Sequence, residues 1–152
     1  MAILLGGCGF ELRSNDAISA AIPSLRLDSA EPNSEFMRLL RNSLEAANVS
    51  LVSAPGPAPT LQLGPERLNR QPVSVNPRAR AAQYELRLEI DFMLSGQDQA
   101  LISQQTLYTE RTLFEDIENI SGNRDEVNLV ASEMRRELVN QLLRRLEMSA
   151  PQ

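Results

Sequence analysis

From Tyr84 to Leu94 the chain alternates without a break: Tyr84, Leu86, Leu88, Ile90, Phe92 and Leu94 on one phase, Glu85, Arg87, Glu89, Asp91 and Met93 on the other. A period of two sends successive side chains to opposite faces, so this is a strand with one buried face and one wet face. Ser95-Gly96-Gln97-Asp98 is a hairpin signal, and Leu101 to Leu113 is the returning strand. Whatever else folds here must cover the apolar side of that hairpin.

Two segments can do so. Phe36, Leu39, Leu40, Leu44 and Ala47 recur at helical spacing, with Asn33 or Ser34 placed to cap the start and Asn48 the end. A longer helix runs from about Arg124 to Met148, with Val127, Val130, Ala131, Met134, Leu138, Leu142 and Leu146 as its stripe. Further strands are expected at 22–28 and at 60–75, the latter kinked at Gly64-Pro65. Val49 to Val52 is a short apolar piece, and the Pro-rich 53–59 segment is a loop. The order is β-α-β-β-β-α. The expected fold is α+β: a two-layer sandwich, two helices on one face of a mixed, roughly four-stranded sheet.

Composition narrows the chemistry. The chain has 152 residues, no His and one Cys. Nucleophilic triads with a His base, His/Cys zinc sites and internal disulfides are excluded. The net charge of -5 speaks against a nucleic-acid partner. Glu115, Asp116 and Glu118 read as a solvated loop, not an acid/base pair, so no catalytic residue and no metal is expected.

The first eight residues end in Leu5-Gly6-Gly7-Cys8. This resembles the bacterial lipobox, in which the Cys sulfur receives a diacylglyceryl group and its amine, freed by cleavage, an acyl chain. These covalent chains are the only expected prosthetic groups. Several chains together make a stable anchor where one alone binds marginally. Gly9, in place of an Asp after the Cys, is similar to the pattern that sends lipoproteins to the outer membrane. The seven-residue apolar run has no basic start and is far shorter than the roughly 15–30 residues of a full signal. Either the rest of the signal lies upstream, or Met1 is the true start and Cys8 stays reduced and unmodified in the cytosol. Organised this way, 1–7 is a signal remnant, 8–21 a lipidated extended tether, 22–148 one domain, and 149–152 a tail.

Several pieces of the chain resemble the LptE (RlpB) family of lipopolysaccharide-assembly lipoproteins. They are Gly7-Cys8-Gly9-Phe10-Glu11-Leu12-Arg13, then Leu27 to Asn33, Arg38 to Val49, Ala82 to Leu86, Glu133-Met134 and Gln141 to Leu146. The resemblance implies a non-enzymatic protein on the periplasmic side of the outer membrane. It would plug and help assemble the barrel LptD and contact lipopolysaccharide in transit. Lipopolysaccharide carries phosphates, for which guanidinium is the apt partner. The arginines considered for that contact are Arg70, Arg78 and Arg80 in and near the second loop, and Arg135 and Arg136 on the last helix. The commoner reading of such residues, solvated charges on an exposed face, is the preferred one. A different outer-membrane lipoprotein, serving barrel assembly or the cell wall, shares the anchor and fold class. An enzyme working with two carboxylates, such as a glycosidase, is a remoter alternative.

Overall fold

The computed structural model describes residues 16–75, 81–114 and 120–149. Along the chain lie α1 (Asp16–Ala21), β1 (Ser24–Ser29), α2 (Glu35–Ala46), β2 (Ser50–Leu51), β3 (Thr60–Leu63), β4 (Arg67–Val75), β5 (Ala81–Ser95), β6 (Ala100–Phe114) and α3 (Ile120–Met148). The expected α+β class holds, with both long helices against one face of a mixed sheet.

The β5–β6 hairpin is the backbone of the sheet. β6 pairs antiparallel with β5 from Gln83↔Phe114 to Ser95↔Ala100, with irregular register between Phe92 and Ser95. The other edge of β5 is shared. β4 pairs with its first part, Arg67↔Glu89 to Val75↔Ala81, and β3 with its last, Leu63↔Phe92 to Thr60↔Ser95. Thus the expected kinked strand at 60–75 is two strands laid end to end along β5. At the corner Pro65 has no N–H to give, while the Gly64 N–H donates to the Asp91 carbonyl at 2.9 Å. β1 runs parallel beside β3, and β2 parallel on the far side of β1. The sheet has six strands where about four were expected, because 49–52 contributes one and 60–75 two.

Ser34 caps α2: its hydroxyl accepts from the Met37 N–H at 3.2 Å. Asn48 ends the helix in the left-handed region, at φ 59°. Phe36, Met37, Leu40 and Leu44 of α2 are buried against the sheet, as are Ala131, Met134, Leu138, Val139, Leu142 and Leu146 of α3. They meet Leu86, Leu88, Ile90, Phe92 and Leu94 of β5, the inward phase of the alternation, with Leu25, Leu61 and Leu63. Burying each of the Leu, Ile, Val, Met and Phe side chains contributes about 1.5–3 kcal/mol; the core is mainly aliphatic, with Phe36 and Phe92 among its largest fully buried members.

One difference concerns the start. Residues 16–21 are helical, not extended, and Ile18 and Ile22 belong to the core. The helix is short and rich in Ala, and its burial comes from packing on α3. A six-residue helix is marginal alone.

Candidate functional site

With α2 and α3 on one side, the second phase of every strand forms an open polar face. Registers place Arg67 beside Glu89, Glu89 beside Tyr108, and Asp91 beside Thr106. These groups are joined. Arg67 donates to Asp91 at 2.7 and 3.2 Å and to Glu89 at 3.4 Å. Arg87 bonds Glu89, and reaches Glu110 at 2.6 Å. The Thr106 hydroxyl donates to Asp91 at 2.6 Å. The Arg87 guanidinium also stacks over the Tyr108 ring, 4.2 Å from its centroid. The hydrogen bonds from Arg67, and then that from Thr106, hold the Asp91 carboxyl below the usual carboxylate range. Arg87 does the same for Glu89. The outward residues Arg87, Glu89 and Asp91 are thus an ordered ion-pair ladder.

On the same face β1, β3, β5 and β6 enclose a cleft of about 340 Å³. Asp28, Gln62, Asp91, Met93 and Gln104 line it. Gly64 forms part of its wall, where a Cβ would stand 3.4 Å from that of Asp91. The alternation in β5 marks Asp91 and Met93 as outward-facing. The contributions of Asp28 and Gln62 follow from the parallel β1–β3 pairing, which sequence pattern does not specify.

The sequence-selected arginines fall in separate places. Arg70 is exposed on β4, on the helix side, with its guanidinium 3.7 Å from the Tyr84 ring centroid. A small recess there is also lined by Asn123 and Glu126 of α3. Arg135 is held among carboxylates: Nε and Nη2 donate to Glu66 at 2.6–3.0 Å, and Nη1 to Glu35 at 2.9 Å. Its side chain is 17% exposed and that of Glu66 14%. Ser132 donates to the same Glu35 at 2.9 Å. This cluster ties α3 to the head of α2 and to the β3–β4 corner, and it raises the Arg135 pKa, chiefly through the Glu66 hydrogen bonds. Arg136 is exposed. Arg70 stands four positions along the chain from Glu66, roughly 13 Å at strand rise, so Arg70 and Arg135 do not share one patch. Cys8, Arg78, Arg80, Glu115, Asp116 and Glu118 lie outside the described residues. Among the described residues no cluster of three acidic or thiol groups could hold a metal. None of the described helices is long and apolar enough to cross a membrane.

The family model LptE, described as lipopolysaccharide-assembly, matches residues 22–146. The LPS-assembly lipoprotein LptE of Pectobacterium atrosepticum is 28% identical over 151 residues, covering 96% of this chain and 80% of its own length. That of Yersinia enterocolitica is 29% identical over 154 residues, covering 96% and 72%. Among solved structures, the rare lipoprotein B of Shewanella oneidensis superposes with a TM-score of 0.77 at 26% identity, over 83% of this chain and 95% of the other. A lipoprotein B of Nitrosomonas europaea shares the fold at 16% identity, with a TM-score of 0.71 over 97% and 91%.

Proposed function

The chain belongs to the LptE family, and from that premise we propose that it is a non-enzymatic lipoprotein of lipopolysaccharide assembly, acting as plug and assembly partner in the lumen of the outer-membrane barrel LptD. In this reading acyl chains on Cys8 anchor it to the periplasmic side of the outer membrane. The observation that carries the plug is the division of the sheet. One face is sealed by helices, and the other is a continuous hydrogen-bonding surface of paired charges, hydroxyls and amides. Barrel lumens are polar, so such a face suits them. The charges of its Arg67, Arg87, Glu89, Asp91 and Glu110 ladder are already paired, which lowers the cost of packing them against other polar groups.

Lipopolysaccharide phosphates would meet exposed guanidinium. Arg70 and Arg136 are accessible on the described surface, and Arg78 and Arg80 follow Arg70 closely in sequence. Arg135 is the weaker candidate of the five, because Glu35 and Glu66 already surround its charge. Replacing Arg70, Arg78 and Arg80 together is expected to reduce lipopolysaccharide retention; unchanged retention refutes the phosphate role of that group.

The decisive experiment is co-purification. The tagged chain, expressed behind a full lipoprotein signal, is extracted from outer membranes in mild detergent. Recovery of LptD at about one to one supports the plug, since a specific stable interface survives such handling. Recovery of the chain alone, or with another partner, overturns it. Fatty-acid labelling that disappears in Cys8→Ser tests the anchor separately.

A further inference from the structure

The cleft on the open sheet face differs in chemistry from a phosphate site. Two carboxylates, Asp28 and Asp91, stand in it, and the one guanidinium bonded to a lining residue, Arg67, is engaged with Asp91 and Glu89. A phosphate entering it meets Asp28 unscreened. The side chains of Asp28, Gln62 and Gln104 make no hydrogen bond or ion pair among the described residues, so their acceptors and amide donors turn to solvent. Met93 supplies an apolar, polarisable surface between them. Carboxylates accept from adjacent hydroxyls, amides both donate and accept, and the thioether packs against C–H groups. Its volume of about 340 Å³ is that of a small-ligand site. The outer phase of β6 continues the surface beyond Thr106 to Tyr108, whose ring is half-exposed and backed by Arg87. Two residues along a strand is roughly 7 Å, within the length of a second sugar ring.

We propose that this cleft binds a neutral, hydroxyl-rich oligosaccharide, with Asp28, Gln62 and Gln104 holding one ring over Met93 and Tyr108 stacking on the next. The proposal rests on the lipopolysaccharide reading only for the source of the glycan: the site takes the uncharged sugars, while phosphates go to the exposed arginines elsewhere.

The test is an amide chemical-shift titration of the full, unlipidated chain. One probe is a neutral hexose oligosaccharide of the outer core, freed of acyl chains, phosphates and the acidic inner-core sugars; the other is a bis-phosphorylated glucosamine disaccharide. The neutral probe is expected to shift Gln62, Gly64, Met93 and Gln104, and Gln62→Ala/Gln104→Ala to weaken it about tenfold. Both glutamines are exposed, so the fold should persist; Asp28→Asn is a second, independent variant. No shift in the cleft with the neutral probe at millimolar concentration overturns the proposal, as does response there to the phosphorylated probe alone. Intact lipopolysaccharide held equally by the double variant and the natural chain overturns the cleft and leaves the assembly reading standing. Binding of the neutral probe with no retention of intact lipopolysaccharide does the reverse.

Discussion

Replacing Arg135 by Ala removes the cation that bridges Glu35 and Glu66 at the junction of α2, α3 and the β3–β4 corner, and leaves both carboxylates facing the same space. Exposed ion pairs contribute about 0–1 kcal/mol. Breaking a fully buried one costs about 3–5 kcal/mol, because a charge is stranded. Here the side chains of Arg135 and Glu66 are 17% and 14% exposed and that of Glu35 33%, so the pair to Glu66 sits nearer the buried limit and that to Glu35 nearer the exposed one. The expected loss is about 2 kcal/mol, or roughly 6 °C in the unfolding midpoint of a domain this size. The assay is urea unfolding followed by far-ultraviolet circular dichroism, in which the midpoint should fall with the slope unchanged. Most of that cost comes from the stranded Glu66, so adding Glu66→Gln should recover about half of it. A loss below about 0.5 kcal/mol, or a double variant no more stable than Arg135→Ala, refutes the reasoning.

Three further outcomes follow from the same structure. Leu138→Ala empties a fully buried site between α3 and the sheet and should cost about 3 kcal/mol by the same unfolding assay. At Asn48, where φ is 59°, replacement by Val should cost about 1.5 kcal/mol, whereas Gly should stay within about 0.5 kcal/mol of the natural chain. Asp91 and Glu89 titrate below their ordinary range in the folded chain. Their stabilising contribution is therefore complete above the unfolded values, about 4, and drains away as pH falls through the lower folded ones. Asp91→Asn should flatten that acid limb of a stability-against-pH curve, and an unchanged limb would dissociate it from the ladder.

The parts legible in the sequence are those that carry their own period. The 84–94 alternation, the α2 cap and the α3 stripe each fix a local conformation and the face it buries, and together they give the two-layer plan. Pairing between distant strands has no such mark. Nothing in Leu25 or Leu61 says that β1 lies parallel to β3, so neither the place of β2 nor the cleft at Asp28 and Gln62 could be read. The same limit applied to charge. Glu89 and Asp91 were visibly outward, but their partner Arg67 lies 22 and 24 residues away across a ladder set by the Gly64-Pro65 corner. Arg135 resembled any exposed helical arginine until Glu66, 69 residues earlier, was brought beneath it. The helix at 16–21 escaped notice because its stability is borrowed from α3.

That borrowing fixes an order of events. The first described helix, α1, packs on the last, α3, and the core draws on both, from Ile18 to Leu146. Synthesis runs from the N-terminal side, so α1 and the β5–β6 hairpin emerge before the helix that covers them. Contacts between distant segments form late. Until then the apolar face of the emerging strands lacks its helical cover.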